Sequence, residues 1–184
     1  VYDNGSVEIN SVWVGEWVNV SCPTPTPTST ATATASATPT PTATQTVQVW
    51  LEGPGDASRC SDISVTVNIS QVEGLDSGSY DVAYDPDIMQ VTGVSNGSVG
   101  GTEVPVSDWG FIPAGIQGVV RIINNAGGLG GISGEGTLAV IDFNVSCTSC
   151  GNTSLGFSGE HVVYAIDSIE ISSTWANDSI EIIS

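Results

Sequence analysis

Asp62–Ser70 reads DISVTVNIS, and in it Ile63, Val65, Val67 and Ile69 fall on one side while Ser64, Thr66 and Asn68 fall on the other. A period of two over this length is the pattern of a strand with one face in a core and one in water. Outward in both directions the chain repeats the device. Upstream lies Thr46–Leu51, closed off by Gly53-Pro54-Gly55-Asp56. Downstream, Ser79–Tyr84 leads into Asp85-Pro86-Asp87, a turn with proline well placed at its second position. Ile88–Val94 follows, then a loop over 95–101, a short aromatic segment at Trp109–Phe111 and the apolar Gln117–Ile123. Asn124–Gly136 is expected to be glycine-rich loop and Thr137–Val145 (TLAVIDFNV) the longest strand. Ser154–Phe157, His161–Ala165, Ser168–Ser172 and Ser179–Ile183 complete the series. No segment has a helical period. About nine or ten short strands with regular turn signals predict an all-β protein, a β-sandwich or jelly roll, over residues 46–184.

Two unlike pieces precede this body. Residues 23–45 form a Pro/Thr-rich linker whose tract Pro23–Thr44, PTPTPTSTATATASATPTPTAT, has no charge and no aromatic residue. It cannot bury a core. Alternating Pro and Thr favours polyproline II, with a reach of roughly 60–70 Å at about 3.1 Å per residue. Thr24, Thr26, Thr28, Thr30, Thr32, Thr34, Thr38, Thr40, Thr42 and Thr44 are O-glycosylation candidates. Residues 1–22 form a β-arm, read either as a hairpin about Gly15-Glu16 or as one long strand with a bulge. Its Val7, Ile9, Val12, Trp13, Val14, Trp17, Val18 and Val20 are too many apolar side chains for a piece that cannot fold alone. They call for a partner sheet, and burying five would be worth several kcal/mol at roughly 1.5–3 kcal/mol each.

Charge narrows the functions. Twenty acidic residues stand against two basic ones, Arg59 and Arg121, for a net charge of −18. That field repels phosphate backbones and anionic lipid, so neither nucleic acid nor a membrane surface is expected as partner. No apolar run reaches the roughly 20 residues of a membrane span. Charged residues are only 12% of the chain, which leaves Ser, Thr, Asn and Gly to cover the surface. Seven Asn-x-Ser/Thr sequons, at Asn4, Asn19, Asn68, Asn96, Asn144, Asn152 and Asn177, agree with a secreted, extracellular or cell-surface glycoprotein. The chain opens on Val1, and a mature, processed chain or a fragment of a longer one is expected.

Cys22, Cys60, Cys147 and Cys150 allow three pairings. The Cys147-x-x-Cys150 spacing lacks the second pair a zinc site needs and the βαβ setting of a redox site. Structural disulfides are expected, one joining Cys60, before a strand, to Cys147 or Cys150, after another. Cys22 then takes the remaining thiol, in its own body or a neighbour's.

Val65-x-Val67, Tyr84-Asp85-Pro86, Met89-x-Val91-x-x-Val94, Ile132-Ser-Gly-Glu-Gly-Thr-Leu-Ala139 and Phe143-x-Val145, in that order, resemble a cohesin domain. The closing Asn177-Asp178-Ser179-Ile180-Glu181-Ile182 carries Asp where that family has Gly. The resemblance spans about residues 46–183. It implies a secreted, non-catalytic jelly roll that binds the dockerin modules of partner proteins on one sheet face. The arm repeats the closing motif, Asn4-Gly5-Ser6-Val7-Glu8-Ile9 against Asn177–Ile182. Three explanations stand: chance, the tail of a preceding tandem domain, or a donor strand for another copy's sheet.

Catalysis finds little to work with. His161 is the only histidine and sits in a strand-like HVVYAI, with no nucleophile elbow at any serine. Gly127-Gly128-Leu129-Gly130-Gly131 reads as a flexible turn, not a phosphate loop. No cofactor is expected. Calcium is the one ion left open, through Asp81, Asp85 and Asp87, although no EF-hand pattern occurs. The preferred function is a structural subunit that docks its arm on a neighbouring copy and grows head-to-tail into a filament or surface layer. Only that function gives the arm a use. The alternatives are a cohesin-type scaffold module binding dockerin-bearing partners, and an adhesin or carbohydrate-binding module with Trp109 or Trp175 as stacking platform.

Overall fold

The computed structural model describes residues 46–127 and 130–184. The arm and linker, with Cys22, Asn4, Asn19 and the ten threonines, lie outside them. The described chain is twelve strands and one 3-10 turn at Ile166–Ser168. In order they are β1 (Thr46–Glu52), β2 (Asp56–Ser58), β3 (Asp62–Ala83), β4 (Met89–Val99), β5 (Thr102–Val104) and β6 (Val106–Phe111). Then come β7 (Val119–Asn125), β8 (Ile132–Val145), β9 (Gly151–Ala165), β10 (Ile169–Glu170), β11 (Ser172–Ala176) and β12 (Asp178–Ile183).

The opening stretch is the first part of β3, and this strand does not stop at Ser70. It continues to Ala83, through register shifts against β8 after Val67, Ile69 and Val72. Such bulges bend a strand and increase its twist, so β3 serves two layers. Its first part lies between β1 and β8, pairing Val67 with Leu51 on one side and Ala139 on the other. Its last part lies between β7 and β9, pairing Tyr80 with Ile122 and Val82 with Phe157. β4 and β5 extend the first layer beyond β8, and β11 extends it beyond β1. β6 borders the second layer at β7, while β12 and β2 continue it from the start of β9.

Several loops expected from the sequence are strand. Residues 95–99 remain in β4, because Gly97 lets it approach β8 closely: a Cβ there would overlap the Thr137 carbonyl oxygen. Ile132–Gly136 belong to β8, and the two short segments expected within 154–165 are one bulged β9.

Between the layers lies one apolar core. Val65, Val67 and Ile69 are fully buried, and Ile141, Phe143, Ile122, Val120, Val163 and Ile180 join them. Contacts across the core show the layers facing each other. Tyr84 meets Phe143 edge-on at 5.2 Å, and Tyr80 packs on Trp175 at 5.8 Å. One polar bridge crosses as well: Asn124, 2% exposed, accepts from the Tyr80 hydroxyl at 2.8 Å and donates to the Leu138 carbonyl at 3.0 Å. A Cys60–Cys147 disulfide ties the start of β3 to the end of β8.

Candidate functional site

A two-layer sandwich offers two outer faces, and here they differ in chemistry. Over β3, β8 and β4 the first layer carries polar side chains that satisfy one another. Ser64 donates to Asp142 at 2.7 Å, Asn144 to Asp62 at 2.9 Å, and Asn68 to Glu52 at 2.9 Å. Groups already paired in this way offer a protein partner little gain, since each contact would exchange one hydrogen bond for another.

The second layer presents β6, β7, the end of β3 and the end of β9. Alternation along β7 buries Val120, Ile122 and Asn124 and turns Arg121, Ile123 and Asn125 outward. Arg121 is held by Asp81 of the neighbouring β3 in a bidentate pair, Nε to Oδ1 at 2.7 Å and Nη2 to Oδ2 at 2.9 Å. Two parallel charge-assisted bonds fix the guanidinium plane. The hydrogen bond with Asp81, then its charge, holds the Arg121 pKa above the usual arginine value. Asp81 is almost covered while the Arg121 side chain is 46% exposed, so a cation is displayed on an anchored base. A bulge in β9 makes room for the pair: Gly159 takes φ of +63°, and a Cβ there would lie 3.0 Å from Asp81 Oδ2. An ordinary side chain would crowd the carboxylate.

Around this pair sit apolar groups that the core does not cover. Trp109 (37% exposed), Ile112 (36%), Ile116 (59%) and Ile123 (36%) lie on β6, β7 and the loop between them. Ile166 and Ile169 lie beyond, at the β9–β10 turn. Ile183 alone among the exposed large apolar residues described belongs to neither place. Asp108, Trp109, Phe111, Ile112, Arg121 and Ile123 line a groove of about 190 Å³. Pairing with buried Ile122 turns Trp109 to the inner side of this layer at its edge, so on the outer side Ile123 stands with Arg121 and Asp108. Exposed apolar surface beside an anchored arginine is the composition of protein-binding surfaces.

The other residues singled out from sequence fall elsewhere. Cys60 pairs with Cys147, which leaves Cys150 exposed and without a disulfide partner among the described residues. Asp81 is taken by Arg121, and Asp85 turns its Oδ1 back to accept from the Asp87 amide at 2.9 Å. Among the described residues no three His, Cys, Asp or Glu side chains gather as a metal site. His161 lies among rings, 4.8 Å from Trp175 and 6.1 Å from Phe157, with its Nδ1 buried and unpartnered among the described residues. Trp175 is half-buried in the same cluster and closed to a sugar ring, whereas Trp109 stands open beside Phe111. Asn96, Asn144, Asn152 and Asn177 are exposed, but Asn68 is buried with its amide nitrogen already bonded. No described sequon lies on β6, β7 or the last part of β3.

The groove has no short sequence motif. Its members come from separate strands, and only the register of β6, β7 and β3 brings them together. The available signal was the isolated Arg121 in an otherwise apolar strand.

The family model described as Cohesin domain matches residues 56–182. No curated protein sequence matches the chain. Among solved structures, the chain is similar to a non-cellulosomal cohesin from the hyperthermophilic archaeon Archaeoglobus fulgidus, with 22% identity, a TM-score of 0.60, and coverage of 76% of this chain and 93% of that one. The sixth cohesin of scaffoldin B from Acetivibrio cellulolyticus, solved with a mutant dockerin, gives 15% identity and a TM-score of 0.63, covering 76% and 100%. The OlpA cohesin–dockerin complex of Clostridium thermocellum gives 18%, 0.62, 76% and 100% in the same order. Among the described residues no helix is long and apolar enough to cross a membrane.

Proposed function

Because the chain belongs to the cohesin family, we propose that it is a non-catalytic extracellular binding module that captures a dockerin-bearing partner on the outer face of β6, β7, β3 and β9. One observation carries the choice of face: Ile123 stands exposed there beside the anchored Arg121, with Ile112 and Ile116 in the adjoining loop, while the opposite layer carries polar groups paired with one another. Asp108 and Glu160 add negative charge beside Arg121, so basic groups on the partner complement the rim. Titrating the chain with a panel of dockerins in calcium tests this. Binding that is lost in Ile123→Asp supports it, and no binding across a broad panel counts against it.

A second function rests on the arm. In β12 the motif shared with Asn4–Ile9 places Ile180 and Ile182 in the core, at the positions matched by Val7 and Ile9. An arm from another copy would supply the same apolar pair to a sheet, and such head-to-tail contacts propagate into a filament. Deleting residues 1–22 should abolish filaments seen by electron microscopy. Filaments of unchanged length would remove this reading. Mass spectrometry of the linker tests the sugar coat on its threonines; an unmodified mass ends that proposal.

A further inference from the structure

The first layer's outer face also holds a groove, over β1, β3 and β8. Trp50 stands opposite Asn68 in register, and Asn68 opposite Thr137, so the three side chains form a row across the strands. Asn68, 8% exposed, is the floor. Its Nδ2 donates to Glu52 at 2.9 Å and to Thr66 at 3.0 Å, and its Oδ1 accepts from the Thr137 hydroxyl at 3.0 Å. With Glu135 on the far side, these residues line an open groove of about 370 Å³. Trp109 stands on the other layer, edge-on to Phe111, and Trp175 is enclosed by Tyr80 and Phe157. Trp50 differs from both. It is not part of the apolar core, and among the described residues its ring meets no other ring and its indole N–H has no partner.

We infer that this groove binds a neutral polysaccharide, with Trp50 as the platform for a sugar ring. A pyranose has an apolar face of C–H bonds and a rim of hydroxyls. The first fits the half-buried indole where it borders the groove, and the second fits the carboxylates of Glu52 and Glu135 and the hydroxyl of Thr137. A few convergent polar groups beside an aromatic surface are what orient a small ligand. The rigid pleated floor, locked by the Asn68 bonds, presents them without rearrangement. Neutral sugar is favoured over acidic sugar by the two carboxylates and the net charge of −18. A cationic peptide fits less well, because the Asn68 and Thr137 floor is neutral and bonded to itself. The groove lies on the layer opposite the proposed dockerin face, so the two sites work independently.

Affinity electrophoresis of the full chain through gels containing hydroxyethylcellulose, xyloglucan, galactomannan or laminarin tests the inference, with hexalysine titrated separately. Retardation is expected in at least one gel. Trp50→Ala should reduce it at least tenfold and Glu135→Gln, at an exposed side chain that disturbs no packing, several-fold. Trp109→Ala should leave it unchanged. No retardation in any gel overturns the inference. So does equal retardation of the Trp50→Ala and Glu135→Gln variants, or binding of hexalysine alone. Dockerin binding by Trp50→Ala should equal that of the parent, which keeps failure of this site distinct from failure of the docking face.

Discussion

Replacing Asn124 by leucine should uncouple the two layers without emptying the space between them. Asn124 is 2% exposed and joins Tyr80 of β3 to Leu138 of β8 through bonds of 2.8 and 3.0 Å. Leucine has nearly the same shape but no polar atoms, so the Tyr80 hydroxyl and the Leu138 carbonyl lose their partner inside the core. Each buried orphan costs about 1–3 kcal/mol. The single variant should therefore lose about 2–5 kcal/mol, after a small offset from the added apolar surface. Tyr80→Phe alone orphans Asn124 Oδ1 and should lose about 1–3 kcal/mol. In the double variant both ends of that bond are gone, and only the Leu138 carbonyl remains unpaired. Its loss should fall short of the summed single losses by about 2–6 kcal/mol, the cost of the two orphans it avoids. Urea unfolding of the four proteins, followed by circular dichroism, measures the cycle. Additivity within about 0.5 kcal/mol would refute the bridge as a coupled pair.

Three further outcomes follow from other parts of the fold. Burial raises the Tyr80 pKa well above its ordinary 10.0, so the unfolded chain sheds this proton first. The stability it contributes is complete below pH 10.0 and falls as pH rises above that value, at up to about 1.4 kcal/mol per pH unit. Tyr80→Phe should flatten that part of the alkaline unfolding curve, and an unchanged slope would contradict the assignment. Cys60→Ser with Cys147→Ser opens a loop spanning 87 residues and should cost about 2–5 kcal/mol by denaturant unfolding. Gly97→Ala forces a Cβ against the β8 backbone and should lower the melting temperature by the equivalent of about 1–3 kcal/mol; a melting temperature equal to the parent's would show that β4 and β8 can separate at no cost.

How far the fold could be read in advance depended on how simply each strand was built. The clean alternation of Asp62–Ser70 identified a core strand because its core-facing residues are all β-branched and those on the other face all polar. Beyond Ser70 the bulges after Ile69 and Val72 shift the period, and Gly74 looks like a break. The eye therefore divides a strand that the neighbouring β8 holds together. Gly97, Gly134 and Gly136 misled in the same way, since glycine marks both a loop and a close approach of two strands. The fold family was legible through motifs that lie within single strands. The docking groove was not, because Asp108, Arg121 and Ile123 become neighbours only through pairing. The bidentate hold of Asp81 on Arg121 was hidden for the same reason, 40 residues separating the two.

Calorimetric titration of the full chain and of its Ile123→Asp variant with the best-binding dockerin tests the central claim most directly. Ile123 is 36% exposed beside Arg121 and outside the core, so a carboxylate there should leave the chain folded, with a melting temperature only modestly lowered by Asp108 opposite it. Desolvating it under a partner costs several kcal/mol. The docking face predicts a loss of at least about 100-fold in affinity, near 2.7 kcal/mol. Wild-type affinity in a variant that stays folded would place the partner elsewhere and contradict the account.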